Sequence, residues 1–405
     1  MARFIPLAVA LIGAVALTTA NASPHSTSNT FDPSQYNTMV SAEQNVVGVA
    51  PEMLDWWWDN IQTTERFQQW EPNDHESFTL LVPPSDPNSL DYSVGTKQQT
   101  VEYIGGFQVT TDVTWMDPAL AADVAEYDHW LLAKVDIEAL TYLSIPSEGW
   151  LLYEYKANED LDGSQVRTTV WLPEGVSASF PGYAQALENH FTSEMQNLPD
   201  FLPDLFQQEF MEGELETRGS YTITKNGFWL KTVVVDQEIK QLTPEMMDWW
   251  WDNINTSARY KQWNPTAHLS FEWVTPPEQP NEIAYSVGAV QRVSEYIGTY
   301  KSNLLITWLD PEGAADQVEY SHWMYAQTDL DGLSSIFPQT LVHEYQLNAA
   351  GDGIVMRSTF TIPSFFDWIM PKFSRELAQH ALQEMQCLQY FLPELFQQEY
   401  LNQQP

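Results

Sequence analysis

The chain has 405 residues with 55 acidic against 17 basic side chains, a formal charge of −38. That balance excludes nucleic acid and anionic membrane surfaces as partners, because both would repel it. The lone cysteine, Cys387, excludes an intramolecular disulfide, so stability must come from the core, for which aromatic residues at 13% supply material, or from metals.

Arg3, the apolar run FIPLAVALIGAVAL and the small-residue site Ala20-Asn21-Ala22 read as an export leader over residues 1–22. The mature chain is expected to begin near Ser23 and to reside in a periplasm or outside the cell. The run is short for a membrane span, and no later segment offers about 20 uninterrupted apolar residues.

The next element, PEMLDWWWDNIQTTERFQQW from Pro51, has helical length, with the proline placed to open it. Strand-like runs follow: SFTLLVP, VTTDVTW, HWLLAKVDI, GWLLYEY and VRTTVWLP. A long helical stretch then ends at a Leu-Pro pair. The polar, glycine-bearing TRGSYTITKNG is the expected connection to what comes next, followed by the strand-like FWLKTVVV.

From there the order repeats. PEMLDWWWDNI at 51 returns as PEMMDWWWDNI at 244, and WMDP at 115 as WLDP at 308, both at an offset of 193. NLPDFLPDLFQQEF at 197 returns as CLQYFLPELFQQEY at 387, with the offset now 190. The strand-like runs return as LSFEWVT, NLLITWL, HWMYAQTD, TLVHEYQL and IVMRSTFTI. A period this long means tandem domains, expected at 23–213 and 214–405, each an α+β unit whose curved antiparallel sheet wraps the closing helix.

The closing stretches carry the chemistry. Tyr183, Leu187, His190, Glu194 and Leu198 step along one helix face, as do Phe373, Leu377, His380, Glu384 and Leu388. A glutamate on a face that looks into a sheet needs a partner, because an isolated buried carboxylate costs several kcal/mol. A His and a Glu one turn apart can ligate a metal from one face, although such a pair also occurs as a solvated contact. Two further residues recur in both copies at a spacing of 27: His75 with Glu102, and His268 with Glu295. Each copy thus offers two imidazoles and two carboxylates in the same order, a set that suits zinc and that manganese or iron also accept. His129 and His322, beside Trp in strand-like runs, read as packed or surface residues, and the triple-Trp runs at 56–58 and 249–251 as core. No glycine-rich phosphate loop, nucleophile elbow or paired CxxC offers a rival chemistry.

The blocks DWWW, RYKQWNPTAH, VSEYIG, LVHEY and HxxxE, in this order, resemble the 2,4-diacetylphloroglucinol hydrolase family, which includes phloretin hydrolase. The resemblance implies a helix-grip fold, like birch-pollen allergens and START domains, and zinc-dependent hydrolysis of a carbon–carbon bond in acylated phenols. It implies His268, Glu295, His380 and Glu384 as zinc ligands, with Tyr260 and His343 contacting a small phenolic or aromatic ketone substrate. The first copy keeps its four ligands, His75, Glu102, His190 and Glu194, but carries Phe67 and Tyr153 at the two pocket positions. The second copy is therefore the expected catalytic one. Members of the family pair as dimers, so the tandem reads as an intramolecular pseudo-dimer. The alternative is a helix-grip binding protein for an aromatic or lipid ligand, its metals purely structural.

Overall fold

A computed structural model describes residues 30–84, 94–138, 147–173, 175–278, 287–330 and 339–402. The expected leader lies outside the described residues. Among these, no helix is long and apolar enough to cross a membrane.

The fold is α+β with two domains. Strands β1 Thr38–Val47, β2 His75–Val82, β3 Lys97–Ile104, β4 Phe107–Met116, β5 His129–Ile137, β6 Glu148–Ala157 and β7 Gly163–Leu172 form one antiparallel sheet in the order β1-β7-β6-β5-β4-β3-β2. Strands β8 Gly219–Asn226, β9 Leu230–Lys240, β10 His268–Thr275, β11 Val290–Ile297, β12 Tyr300–Trp308, β13 His322–Leu330, β14 Gln339–Leu347 and β15 Gly353–Pro363 form the other, in the order β10-β11-β12-β13-β14-β15-β9-β8. The two sheets match strand for strand, except that the second gains β8. This is the segment expected as a connection; it pairs instead along β9 as an edge strand exposed over nearly its whole length. Exposure on both faces removes the alternation that marks a half-buried strand.

The opening element of each copy is two helices. In the first, α1 Pro51–Asn60 gives way to α2 Thr64–Trp70 because Thr63 takes an extended backbone and its side chain caps the Arg66 amide. Pro51 sits at the first turn as expected. Trp57 is fully buried, as is its counterpart Trp250. The closing helix differs between copies. In the first it is cut into α3 Tyr183–Asn197 and α4 Leu202–Phe206, whereas in the second, after α5 Pro244–Asn253 and α6 Ser257–Trp263, it runs unbroken as α7 Phe373–Phe396. The cause is Pro199, which stands where the second copy has Gln389; proline removes a helical donor and clashes with the preceding turn. The expected helix faces are the buried ones: Tyr183, Leu187, His190, Glu194 and Leu198 in α3 and the residue after it, and Phe373, Leu377, His380, Glu384 and Leu388 in α7.

Candidate metal centres and cavities

The spacing of 27 residues has a structural meaning. His75 on β2 and Glu102 on β3 are directly opposed cross-strand partners, and so are His268 on β10 and Glu295 on β11. A register shift follows each histidine, so the first residue of the strand is set apart from the regular ladder. The closing helix then lowers its His and Glu onto this pair.

In the first domain His75 Nε2 stands 3.1 Å from Glu194 Oε1 and 3.7 Å from Glu102 Oε2, and His190 Nε2 stands 3.1 Å from Glu102 Oε2. Ligand atoms of all four residues lie within 4.8 Å of one another. In the second domain His268, Glu295 and His380 meet the same limit, and Glu384 Oε2 lies 3.4 Å from His268 Nε2 and 3.7 Å from His380 Nε2. The eight residues singled out from sequence are therefore gathered into two clusters of four.

The surroundings suit a cation. His75 Nδ1 donates to the Phe67 carbonyl at 2.6 Å and His268 Nδ1 to the Tyr260 carbonyl at 2.7 Å. A carbonyl only accepts, so each ring must carry a proton on Nδ1 and turn its Nε2 toward the cluster, where His75 Nε2 meets Glu194 Oε1 at 3.1 Å and His268 Nε2 has no hydrogen-bond partner. His268 Nε2, His380 Nε2 and Glu194 Oε2 are buried with no hydrogen-bond partner. Buried donor and acceptor atoms are seldom left so, and a divalent ion would satisfy all of them.

Electrostatics separate the two clusters. In the second, burial holds His268 well below its ordinary value, lowers His380 to about 4, pushes Glu295 up to about 7 and raises Glu384 well above the usual carboxylate range. In the first, burial pulls His190 down, but Glu194, Glu102 and Asp74 outweigh it and raise it to about 10. Burial also acts to raise Glu102, yet the imidazoles of His190 and His75 leave it lowered. Burial thus disfavours charge in the second cluster, whereas the first is ion-paired, and in each a cation competes with protons for the same atoms.

A cavity adjoins each cluster. The second is lined by Trp251, Tyr260, Trp308, His343, Phe360 and Phe373 together with Glu295, His380 and Glu384 of the cluster. Tyr260 stacks on His268 with ring centroids 3.8 Å apart, and its hydroxyl donates to Glu295 Oε2. His343 stacks on Trp251, its Nδ1 lies 2.8 Å from Ser358 Oγ, and burial lowers it to about 3. Ser358, which no sequence motif marks, is the direct cross-strand partner of His343. In the first cavity Phe67 stacks on His75 at 3.6 Å, and Tyr153 stacks on Trp58 where the second domain places His343 on Trp251. Tyr183, at the position of Phe373, also lines it. His129 and His322 lie away from both centres; they bond Asp55 and Asp248 at 3.2 Å and stack on Tyr155 and Tyr345.

The profile of the DAPG hydrolase PhiG domain matches residues 34–134 and 208–397. Those segments hold His75, Glu102 and the whole second cluster, whereas His190 and Glu194 fall between them. Phloretin hydrolase of Eubacterium ramulus is 28% identical over 183 residues, 40% of this chain and 65% of that protein, so the chain spans a little under two thirds of that relative's length. Among solved structures, Ara h 8.0201 aligns at a TM-score of 0.30 and 11% identity over 41% of this chain and 98% of its own. The di-domain ARO/CYC BexL from the BE-7585A biosynthetic pathway aligns at a TM-score of 0.27 and 12% identity over 87% and 97%.

Proposed function

We propose a function from one premise: the chain belongs to the DAPG hydrolase family. Its second domain is a metal-dependent hydrolase of acylated phenols of the phloroglucinol type, splitting the bond between the ring carbon and the acyl carbonyl. The observation that carries this reading is the convergence of Tyr260 and His343 with Glu295, His380 and Glu384 on one aromatic cavity. The chain is exported after loss of residues 1–22, and its domains divide near residue 213.

His268, Glu295, His380 and Glu384 would hold a divalent ion, zinc in this reading. When bound, the ion supplies Lewis acidity at the acyl carbonyl. The aromatic walls hold the substrate ring and exclude bulk water. Tyr260, tied to Glu295, and His343, neutral and oriented by Ser358, bond the ring oxygens and move the proton that converts the phenol to its keto form. In that form the acyl carbonyl is part of a vinylogous β-diketone. Water adds to it, the carbon–carbon bond breaks, its electron pair passes to the ring, and the ring carbon takes a proton. The products are a carboxylic acid and the deacylated phenol.

The test pairs metal content per chain with turnover of a panel of acyl-phloroglucinols. His343→Ala should keep the metal and lose most activity, whereas Glu384→Ala should lose both. Equal metal loss in the two variants would count against these roles, and a metal-loaded protein that turns over none of the panel would leave a binding protein as the better reading.

A further inference from the structure

We propose that the two centres hold their cation unequally, the first retaining it and the second exchanging it, and that Asp74 is the positioning residue that sets the difference. The inference rests on the reading that both clusters take a divalent ion.

The strand histidines do not distinguish the centres, since His75 and His268 are anchored alike through Nδ1 to a backbone carbonyl. The helix histidines do. His190 Nδ1 lies 3.3 Å from Asp74 Oδ2, whereas the corresponding position in the second domain is Ala267, which has no acceptor to offer His380. A carboxylate on Nδ1 fixes the tautomer, aims the Nε2 lone pair and makes the ring a stronger donor; losing such a partner typically costs 10- to 100-fold in metal affinity.

Two more differences run the same way. In the second domain the Tyr260 hydroxyl donates to Glu295 Oε2, the carboxylate oxygen 3.7 Å from His268 Nε2 and 3.8 Å from His380 Nε2. A proton donor on that oxygen withdraws charge that a cation would otherwise use, and Phe67 imposes no such competition on Glu102. The first cluster also has all four ligand atoms within 4.8 Å of one another, so less rearrangement precedes binding. The Thr100 hydroxyl reaches Glu102 only on Oε1, at 3.4 Å, and leaves free of hydroxyls the Oε2 that faces both imidazoles. A centre with an oriented ligand shell of this kind suits retention, and one that shares its imidazole-facing oxygen with a pocket phenol suits chemistry.

Full-length His380→Ala leaves the first centre to be measured, and His190→Ala leaves the second. Competition against a chromophoric chelator for zinc(II) should find the first centre tighter by about 10-fold or more. Adding Asp74→Ala to the first-centre protein should remove most of that advantage, and Asp74→Asn, which keeps an acceptor without its charge, should remove less. Equal affinities, or an affinity unmoved by Asp74→Ala, would overturn the inference. Uptake of zinc by neither protein would overturn the metal reading itself. Should the single-centre variants fold poorly, removal of cobalt(II) by excess chelator from the otherwise unaltered chain gives the same answer. Two kinetic phases that merge in Asp74→Ala support the proposal, and a single phase before that substitution refutes it.

Discussion

Burial holds His343 down to about 3, so the folded protein keeps this imidazole neutral at neutral pH. Between about pH 6.5 and pH 3 the unfolded chain binds a proton here that the folded chain does not, so stability falls as pH drops through that window. The linkage reaches about 2 kcal/mol by pH 5 and at most about 5 kcal/mol near pH 3. His343→Asn should therefore give a shallower acid limb in a plot of Tm against pH, while turnover drops by about 10²- to 10⁴-fold; a limb as steep as before would show that the ring protonates in place at little cost. Tyr260→Phe reproduces the residue at position 67 and keeps the stack on His268. It should lower turnover by about 10²-fold without loss of zinc, and loss of zinc would make Tyr260 a support of the ligands instead. The residues of the two clusters were legible because they recur in both copies at fixed spacing. Asp74 was not, since recurrence hides whatever one copy has and the other lacks, and Ser358 becomes visible only once β14 and β15 are in register.

The closing helices show how far periodicity reaches and where a single residue overrides it. A 3.6-residue period predicted the buried face of α3, whose outer face is polar, and one buried face of α7, which from His380 to Leu388 is buried on every side. It did not predict that one helix breaks and the other continues, which turns on Pro199 against Gln389. Placing proline at the second position should break α7 one turn after Glu384, costing about 3 kcal/mol. For a domain of this size Gln389→Pro should lower its melting temperature by about 6 to 12 °C in calorimetry. An unchanged melting temperature would mean that the helix beyond Met385 contributes little. Sheet elements were less legible where polar residues dilute alternation, as in β3, or where both faces meet water, as in β8.

The two domains share material as well as ancestry. The segment from Phe210 to Arg218, which spans the expected boundary between the domains, lies along α7: Phe210 and Tyr390 meet with ring centroids 5.2 Å apart, and Glu216 accepts from Gln379 at 2.6 Å and Gln383 at 2.7 Å. Leu215 is fully buried there, and Cys387 Sγ lies 3.8 Å from Met211 Sδ. In a chain carrying −38, whose like charges favour separation, this seam opposes the domains drifting apart, as does the bond from the Lys261 ammonium to the Leu161 carbonyl. Cys387 reports on it. Burial pushes its thiol well above the ordinary value, and the thiolate is the reactive form, so a thiol reagent should label the native protein only as fast as the seam opens. Leu215→Ala removes buried methyl groups from the seam at a cost of about 2 to 5 kcal/mol. Labelling should then accelerate well before either domain unfolds, a separation seen by comparing reagent uptake with far-ultraviolet dichroism along a urea series. Uptake in the native parent at the rate of a free thiol would mean that the seam stands open in solution and that the domains move independently.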